Sequence, residues 1–464
     1  MSVGLLEQQS TGGAIARVGF DYQDAFVLQN LPAWLAQGAF SLVVSEAVGD
    51  VEVCYFTAGG GHTRVFYEAK NNVLTAGDFW KELERFMEVH AASPQEYQRF
   101  VLVCRDYNAV TSPLVRMVQR LRGVGSSFPV DSPVLVSDRA AIAQWVVDKN
   151  KPQLLAEFVL ERVDFVSYSS DSADQAFAGE MAAHLPSIDI TAKASNALRD
   201  RFKELIRKSS QGPLTRQALE SELDALPGTE AWRCAPTAVI AGPDDAHPHE
   251  LQLDVHRFVS EDRHLRTSAE WSELARDLER TGAFIKTSRQ RRTVVVDAKM
   301  RMTMAAMFGL TFSATRGFVL ELTHNGATFR TDAHARGPRP FFEATTSGGG
   351  QGSTDGVACI GFPTAVGEDV LTTAGVALAD LPRLNLRSDN VIDGQEALNT
   401  AVWEAKAAMA QFRSSHALQN LHVFVKAPSM FALVLGHRLN GLGQLQFYDW
   451  VGGRYVATLR HIPA

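Results

Sequence analysis

The run GDVEVCYFTAGGGHTRVFYEAKNNV, residues 49–73, carries two carboxylates and an amine in a pattern with chemical consequences. Side chains two apart on a strand share a face, so Glu68 and Lys70 project together. The turn through Thr57, Ala58, Gly59, Gly60 and Gly61 returns the strand that opens at Asp50 toward them. Two carboxylates aimed at one point repel unless a cation lies between them. Mg²⁺ suits such a place, because it takes hard oxygen ligands and keeps several waters for chemistry. Asp50 and Glu68 are the expected ligands, with the Ala69 carbonyl available as another. Lys70 then orients or deprotonates a metal-bound water, or stabilises charge developing on a phosphate. The bland alternative is a strand-end cap at Asp50 and a solvated cross-face ion pair between Glu68 and Lys70. A further acid-x-lysine, Asp297-Ala298-Lys299, has no acid-bearing hairpin before it.

The elements around the hairpin form a small α/β domain. GFDYQDAFVLQNL (19–31) has helical spacing, with Tyr22, Phe26 and Leu31 on its apolar positions, and a helix DFWKELERFMEV and a strand FVLVC follow the hairpin. The pattern from Gln153 to Pro227 is mostly helical and reads as a bridging bundle, with a small winged-helix module as the alternative; Thr215 has the character of a helix N-cap. The Pro-, Gly- and acid-rich run from Pro227 to Glu250 reads as a linker, and the boundary is set between 227 and 228. At 464 residues a division into two or three domains is expected. The net charge of −7 gives no global polyanion-binding character, so contact with nucleic acid requires a local basic patch. Lys81, Arg85, Lys149 and Lys151 are candidates for phosphate contacts. The 4 cysteines are scattered, as expected of buried free thiols in a reducing compartment. No apolar run approaches the ~20 residues of a membrane helix, and a cytoplasmic protein without membrane contact is expected.

Beyond residue 228, strands and helices alternate as in a Rossmann-like α/β domain. VVVDAKMRMTMAAMFG (294–309) aligns with LHVFVKAPSMFALVLG (421–436): strand, lysine, then a helix ending at glycine. The spacing from Lys299 to Gly309 equals that from Lys426 to Gly436, and Ala305 falls over Ala432, which suggests internal duplication. Ligands of open α/β sheets bind beyond the carboxyl ends of strands, and helix N-termini favour phosphate. Lys299 and Lys426 therefore mark a candidate anion pocket, with Arg301, Phe362-Pro363, Pro428 and Ser429 contributing. Ordinary solvated loop lysines are the competing reading.

The helix–hairpin–helix arrangement with Asp50 and Glu68-x-Lys70 resembles the PD-(D/E)xK nuclease core. The resemblance implies an accessory role near the metal for Gln23 of Tyr22-Gln23, and a weaker one for Glu46. LTFSATRGFVLELTHNGATFRTD and the final LHVFVKAPSMFALVLGHRLNGLGQLQFYDWVGGRYVATL resemble a SAVED domain. Over its whole length the chain resembles the SAVED-domain DNA endonucleases of CBASS antiphage systems. That resemblance implies an α/β fold: a restriction-endonuclease-like domain with a helical extension (1–227), then a SAVED domain of two fused CARF/Rossmann-like halves (228–464). It also implies a nuclease kept idle until a cyclic di- or trinucleotide binds, after which protomers associate as a homo-oligomer and double-stranded DNA is degraded nonspecifically. One departure is visible: Phe329 stands where the family often has tryptophan. The rivals are a catalytically inactive DNA- or protein-binding module under the same sensor, and an effector acting on RNA.

Overall fold

The structure is a computed structural model that describes residues 3–125, 127–129, 131–189, 191–209, 212–239, 250–253, 255, 258, 264–289, 291–297, 300–324, 326–338, 340–349, 352–373 and 377–462. The chain divides into two compact units at Arg233/Cys234.

The first unit is built on a six-stranded sheet of order β5-β4-β3-β2-β1-β6. Its strands are β1 (Phe40–Ser45), β2 (Val51–Phe56), β3 (His62–Leu74), β4 (Tyr97–Tyr107), β5 (Val163–Ser167) and β6 (Leu214–Thr215). The β1–β2 and β2–β3 pairs are antiparallel, while β3, β4 and β5 run parallel. Alternation along β3 sends Val65, Tyr67 and Ala69 to one face and Phe66 to the other, and each face has its own core. The first face is covered by α1 (Val3–Ala36), whose Tyr22, Phe26 and Leu31 are buried there. The second is covered by α2 (Ala76–Ala92), α3 (Ser112–Gly125), α4 (Pro133–Asp148) and α5 (Gln153–Arg162). The expected bridging bundle does not exist as a separate layer. Its β5 joins one edge of the sheet and β6 the other, while α6 (Ala173–His184), α7 (Ala192–Lys208) and α8 (Arg216–Asp224) bury Phe177, Phe202 and Leu219 in the α1 core. The expected linker also carries structure, in α9 (Glu230–Cys234) and the strand β7 (Thr237–Val239). Trp232, only 3% exposed, lies in the same core, which carries the first unit beyond 227.

The second unit holds two sheets. The first has order β10-β9-β8-β7, with β8 (Thr293–Asp297) and β9 (Val319–His324) parallel to β7 and β10 (Ala327–Arg330) antiparallel. The second has order β11-β13-β12-β14-β15-β16. There β12 (Asp355–Gly361), β13 (Arg383–Arg387), β14 (Asn420–Lys426) and β15 (Gln444–Val451) run parallel, flanked by antiparallel edges β11 (Glu343–Ser347) and β16 (Arg454–His461). The helices are α10 (Ser268–Ser288), α11 (Met302–Thr311), α12 (Gln395–Ser415) and α13 (Ser429–Arg438).

The two aligned segments of the sequence, β8–α11 and β14–α13, meet in space at their glycines. A Cβ on Gly309 would strike the Leu433 carbonyl, and one on Gly436 would strike the Ala306 carbonyl, so α11 and α13 cross with their backbones touching. The halves are also tied by polar groups. Asp449 of β15 is buried and accepts from the Thr303 amide at 3.0 Å and the Thr303 hydroxyl at 2.8 Å, satisfying an orphan donor in the first turn of α11. His437 of α13 is 1% exposed and lies with Nε2 3.0 Å from the Phe318 carbonyl.

Alanine in place of Gly309 should lower the unfolding free energy of this unit by about 1–3 kcal/mol through overpacking, although alanine is the better helix former. Urea denaturation reads this out, and an unchanged midpoint contradicts the backbone contact. Burial, with Arg438 adding to it, holds the His437 pKa down to about 4 against an ordinary 6.5. The unfolded chain therefore takes up a proton that the folded unit refuses, so stability declines as pH falls from about 6.5 toward 4, by about 1.4 kcal/mol per unit. The His437→Asn variant should show a flatter pH dependence of urea unfolding across that window.

Candidate active site

β2 is paired with β3 only from Val51, opposite Tyr67, so Asp50 lies one residue outside the ladder and level with Glu68. Its position is set by the turn before it. The Asp50 carbonyl accepts the Glu46 amide at 3.0 Å, with Glu46 at φ 58°. The fully buried carboxylate of Glu52 accepts the amides of Val48 at 3.0 Å and Gly49 at 3.4 Å and pairs with Arg64 at 2.5 Å. Gly49 has to be glycine, because a Cβ there would stand 2.5 Å from the Phe66 ring. Glu52 thus holds the turn that delivers Asp50. The Asp50 Oδ2 accepts the Ala69 amide at 2.8 Å. The carbonyl of a strand residue faces the same neighbour as its amide, so the Ala69 carbonyl lies along that edge as well.

Glu68 and Lys70 share the face of Phe66 and look toward α2. That helix starts at the Thr75 cap and buries Phe79, Leu83 and Phe86. Glu82 and Arg85 flank this stripe one turn apart and reach the sheet. The Lys70 ammonium donates to Glu68 Oε1 and lies 3.6 Å from Glu82, while Arg85 pairs with Glu68 Oε2 and, through Nε, with Glu82 at 2.9 Å. The sequence reading missed Glu82 and gave Arg85 to phosphate contacts. The available signal was their spacing of three along a helix, at the border of its apolar stripe.

Burial, then repulsion from Glu68, pushes the Asp50 pKa up to about 6, against the pull of the Ala69 amide and the two cations. Burial works against the charged form of Lys70, but its bond to Glu68 and the charges of Glu68, Asp50 and Glu82 outweigh this and hold its pKa above the ordinary value. Arg85 is likewise raised against burial by Glu68 and Glu82. The ammonium is therefore the stable form of Lys70 in this cluster.

This donor set fits a divalent cation. Two desolvated carboxylates and a backbone carbonyl lie along one strand edge, with Glu68 Oε2 paired in charge with Arg85. Among the described residues no ready-made cage of three or more His, Cys, Asp or Glu side chains exists. A site of this sparseness suits an ion that retains most of its water.

Among the described residues Gln23, partly buried on α1, makes no hydrogen bond to Asp50, Glu68 or Lys70. Lys81 is exposed beside Asp78, Lys149 lies over the Trp145 ring, and Lys151 pairs with Glu84 at 2.7 Å. In the second unit Lys299 lies outside the described residues. Lys426 is exposed at the carboxyl end of β14, where its carbonyl accepts the Phe362 amide at 3.0 Å. Pro428 caps α13 and Ser429 begins it. Two of the expected pocket side chains are engaged in packing. Phe362 is 2% exposed among Phe341, Phe342 and Phe431, and Arg301 is buried with its guanidinium on the His264 carbonyl at 3.0 and 3.1 Å.

Fold and site together define a nuclease-type unit joined to a sensor unit of two α/β halves. Residues 11–210 match the family described as "Cap4, dsDNA endonuclease domain", and residues 278–460 match the "SMODS-associated and fused to various effectors sensor domain", SAVED. CD-NTase-associated protein 4 of Moraxella osloensis is 47% identical over 460 residues, covering 99% of each chain; the protein of that name from an Acinetobacter species is 45% identical with the same coverage. The solved Acinetobacter baumannii Cap4 receptor with the cyclic trinucleotide 3′3′3′-cAAA superposes with a TM-score of 0.87 at 42% identity, covering 95% of this chain and 98% of that one. The Moraxella osloensis Cap4 receptor gives 0.85 at 44% identity, covering 96% and 99%. The chain belongs to the CD-NTase-associated protein 4 (Cap4) family. It is a CBASS effector with a double-stranded DNA endonuclease domain and a SAVED sensor domain. No helix among the described residues is long and apolar enough to cross a membrane.

Arg85 supplies Glu68 with a positive charge that a metal ion would have to replace. The Arg85→Met variant should therefore bind Ca²⁺ about tenfold more tightly, equivalent to about 1.4 kcal/mol. Isothermal titration at fixed pH measures this without turnover, and weaker binding would show that Arg85 supports the metal site instead of competing for it.

Proposed function

We propose that the chain is a Mg²⁺-dependent endonuclease whose sensor unit binds a cyclic di- or trinucleotide, and that binding drives protomers to associate and cut double-stranded DNA with little sequence preference. The observation that carries this reading is the convergence of Asp50, Glu68 and Lys70 on one strand edge, with the acids desolvated and the lysine held charged. The solved Acinetobacter baumannii relatives carrying 3′3′3′-cAAA and 2′3′3′-cAAA support the choice of messenger class.

Asp50, Glu68 and the Ala69 carbonyl would hold the metal. When bound, Mg²⁺ supplies Lewis acidity toward the phosphate and lowers the pKa of a coordinated water. Lys70 takes the remaining role in this chain. Its ammonium is stabilised by the surrounding carboxylates, so it acts on phosphate charge in preference to accepting a proton. Ala69 keeps Asp50 turned toward the site through its amide, and Glu82 orients both cations. In the messenger unit, Lys426 at the carboxyl end of β14 and the start of α13 at Ser429 offer an anion-binding edge, with Lys299 as its counterpart in the aligned half.

A second reading, an inactive binding module, draws on the fact that Lys70 and Arg85 already compensate Glu68. Incubating the full chain with Mg²⁺, cyclic trinucleotides, plasmid and RNA separates the alternatives. Wild type should linearise and then degrade plasmid and spare RNA. Lys70→Ala, Asp50→Asn and Glu68→Gln should each slow cutting at least about a hundredfold while messenger binding by titration is unchanged. Intact plasmid under every messenger and metal condition contradicts the nuclease reading, and RNA loss alone transfers it to another substrate.

A further inference from the structure

A cavity of about 320 Å³ opens between α12, α13 and residues 333–336, which follow β10. Its charged lining is entirely basic: Arg336, Lys406 and Arg438, joined by His334, with no carboxylate among the lining residues. None of the three strong cations has a carboxylate partner among the described residues. Lys406 donates to the Asn440 side chain at 3.2 Å, Arg438 donates to the Thr331 carbonyl, and the Arg336 guanidinium lies 4.8 Å from the centre of the Trp403 ring. Of the nearby acids, Glu396 lies exposed beside Gly337, outside the lining, and two others are engaged elsewhere. Glu404 accepts the amides of Phe341 and Phe342 at 2.9 and 3.0 Å, and Asp332 pairs with Arg330 at 2.9 Å.

Positive charge is therefore crowded into a partly desolvated hollow whose lining holds no carboxylate. Burial, then the neighbouring Arg438, holds the Lys406 pKa below its ordinary value, and burial does the same to Arg438. Such an arrangement costs stability when empty and becomes favourable when an anion enters. The wall is fixed in place: Asn399 donates to the carbonyls of Ala333 at 2.9 Å and Ala335 at 2.7 Å, and accepts from Gln395 at 2.9 Å. Trp403 is 43% exposed at the rim, so an aromatic surface stands beside the cations.

We propose that this crevice is a binding site for a nucleoside monophosphate or an organic phosphate of similar size, separate from the messenger edge. Arginine and lysine match the phosphate, and an indole beside a guanidinium matches a planar base. The volume lies at the small end of the range for ligand pockets, ~300–1,000 Å³, and suits one phosphate and one ring in preference to a whole cyclic trinucleotide. Its place in the fold is also different. α13 begins at Ser429, beside Lys426, and ends at Arg438, so the crevice engages the opposite end of that helix, about 14 Å away along its axis. The inference does not depend on the nuclease chemistry of the other unit.

The test is isothermal titration of the full chain with AMP, inorganic phosphate and adenosine, at low and moderate salt. AMP should bind more tightly than either fragment, with affinity falling as salt rises. Lys406→Gln and Arg336→Gln should each weaken AMP at least about tenfold. Trp403→Ala should reduce the advantage of AMP over inorganic phosphate. Saturation with 3′3′3′-cAAA should leave AMP binding in place. Absence of AMP binding by wild type at millimolar concentration overturns the proposal whatever the variants do. So does competitive displacement of AMP by 3′3′3′-cAAA, and so does AMP binding that none of the three substitutions weakens. Thermal unfolding provides a structural control: removing a crowded charge by Lys406→Gln should raise Tm, while a fall would mark Lys406 as a packing residue and count against the site.

Discussion

The candidate active site depends on keeping two carboxylates near each other in a desolvated place. Asp50 and Glu68 are brought level by the hairpin, and the protein compensates them with Lys70, Arg85 and the Ala69 amide. Both opposing effects are visible in one residue, Asp50, whose pKa is pushed up to about 6 by burial and Glu68 although the Ala69 amide and two cations pull the other way. Everything around the cluster serves to maintain that balance. Glu52 ties the turn before Asp50, Phe66 fills the space that Gly49 leaves, and the apolar stripe of α2 seats Glu82 and Arg85 over the sheet.

The sensor unit solves a different problem, holding two α/β halves in a defined relation. Close backbone approach at Gly309 and Gly436 removes the side-chain layer that ordinarily separates helices. Asp449 and His437 then cross-link the halves with buried polar bonds. Buried groups of this kind are costly when left unpaired, so they favour one arrangement of the halves over sliding alternatives.

Much of the candidate site's geometry was legible in the sequence. Strand alternation is a local property, so the shared face of Glu68 and Lys70 followed from their spacing, and the glycine-rich turn marked the return of the chain toward Asp50. The contribution of α2 was not legible, because a helix presents polar residues all round and only its docking angle selects which of them meet the sheet. Arg85 looked like a solvent-facing base and is instead the partner of Glu68. Trp232 stood among linker-like residues, yet a distant core takes it up. Arg301 had the composition of a ligand contact but spends its guanidinium on a carbonyl at His264.

Short-range pattern was enough for the helix–hairpin–helix–strand order around the acid–acid–lysine arrangement and for the matched glycines, since each rests on backbone periodicity or on a conformation few residues tolerate, but not for the strands β5, β6 and β7. Packing between elements far apart in the chain settled which cations neutralise Glu68, where the first unit ends, and which basic residues line a hollow instead of facing water. Those outcomes follow from burial and long-range electrostatics, which depend on what lies across the gap and not on what lies next along the chain.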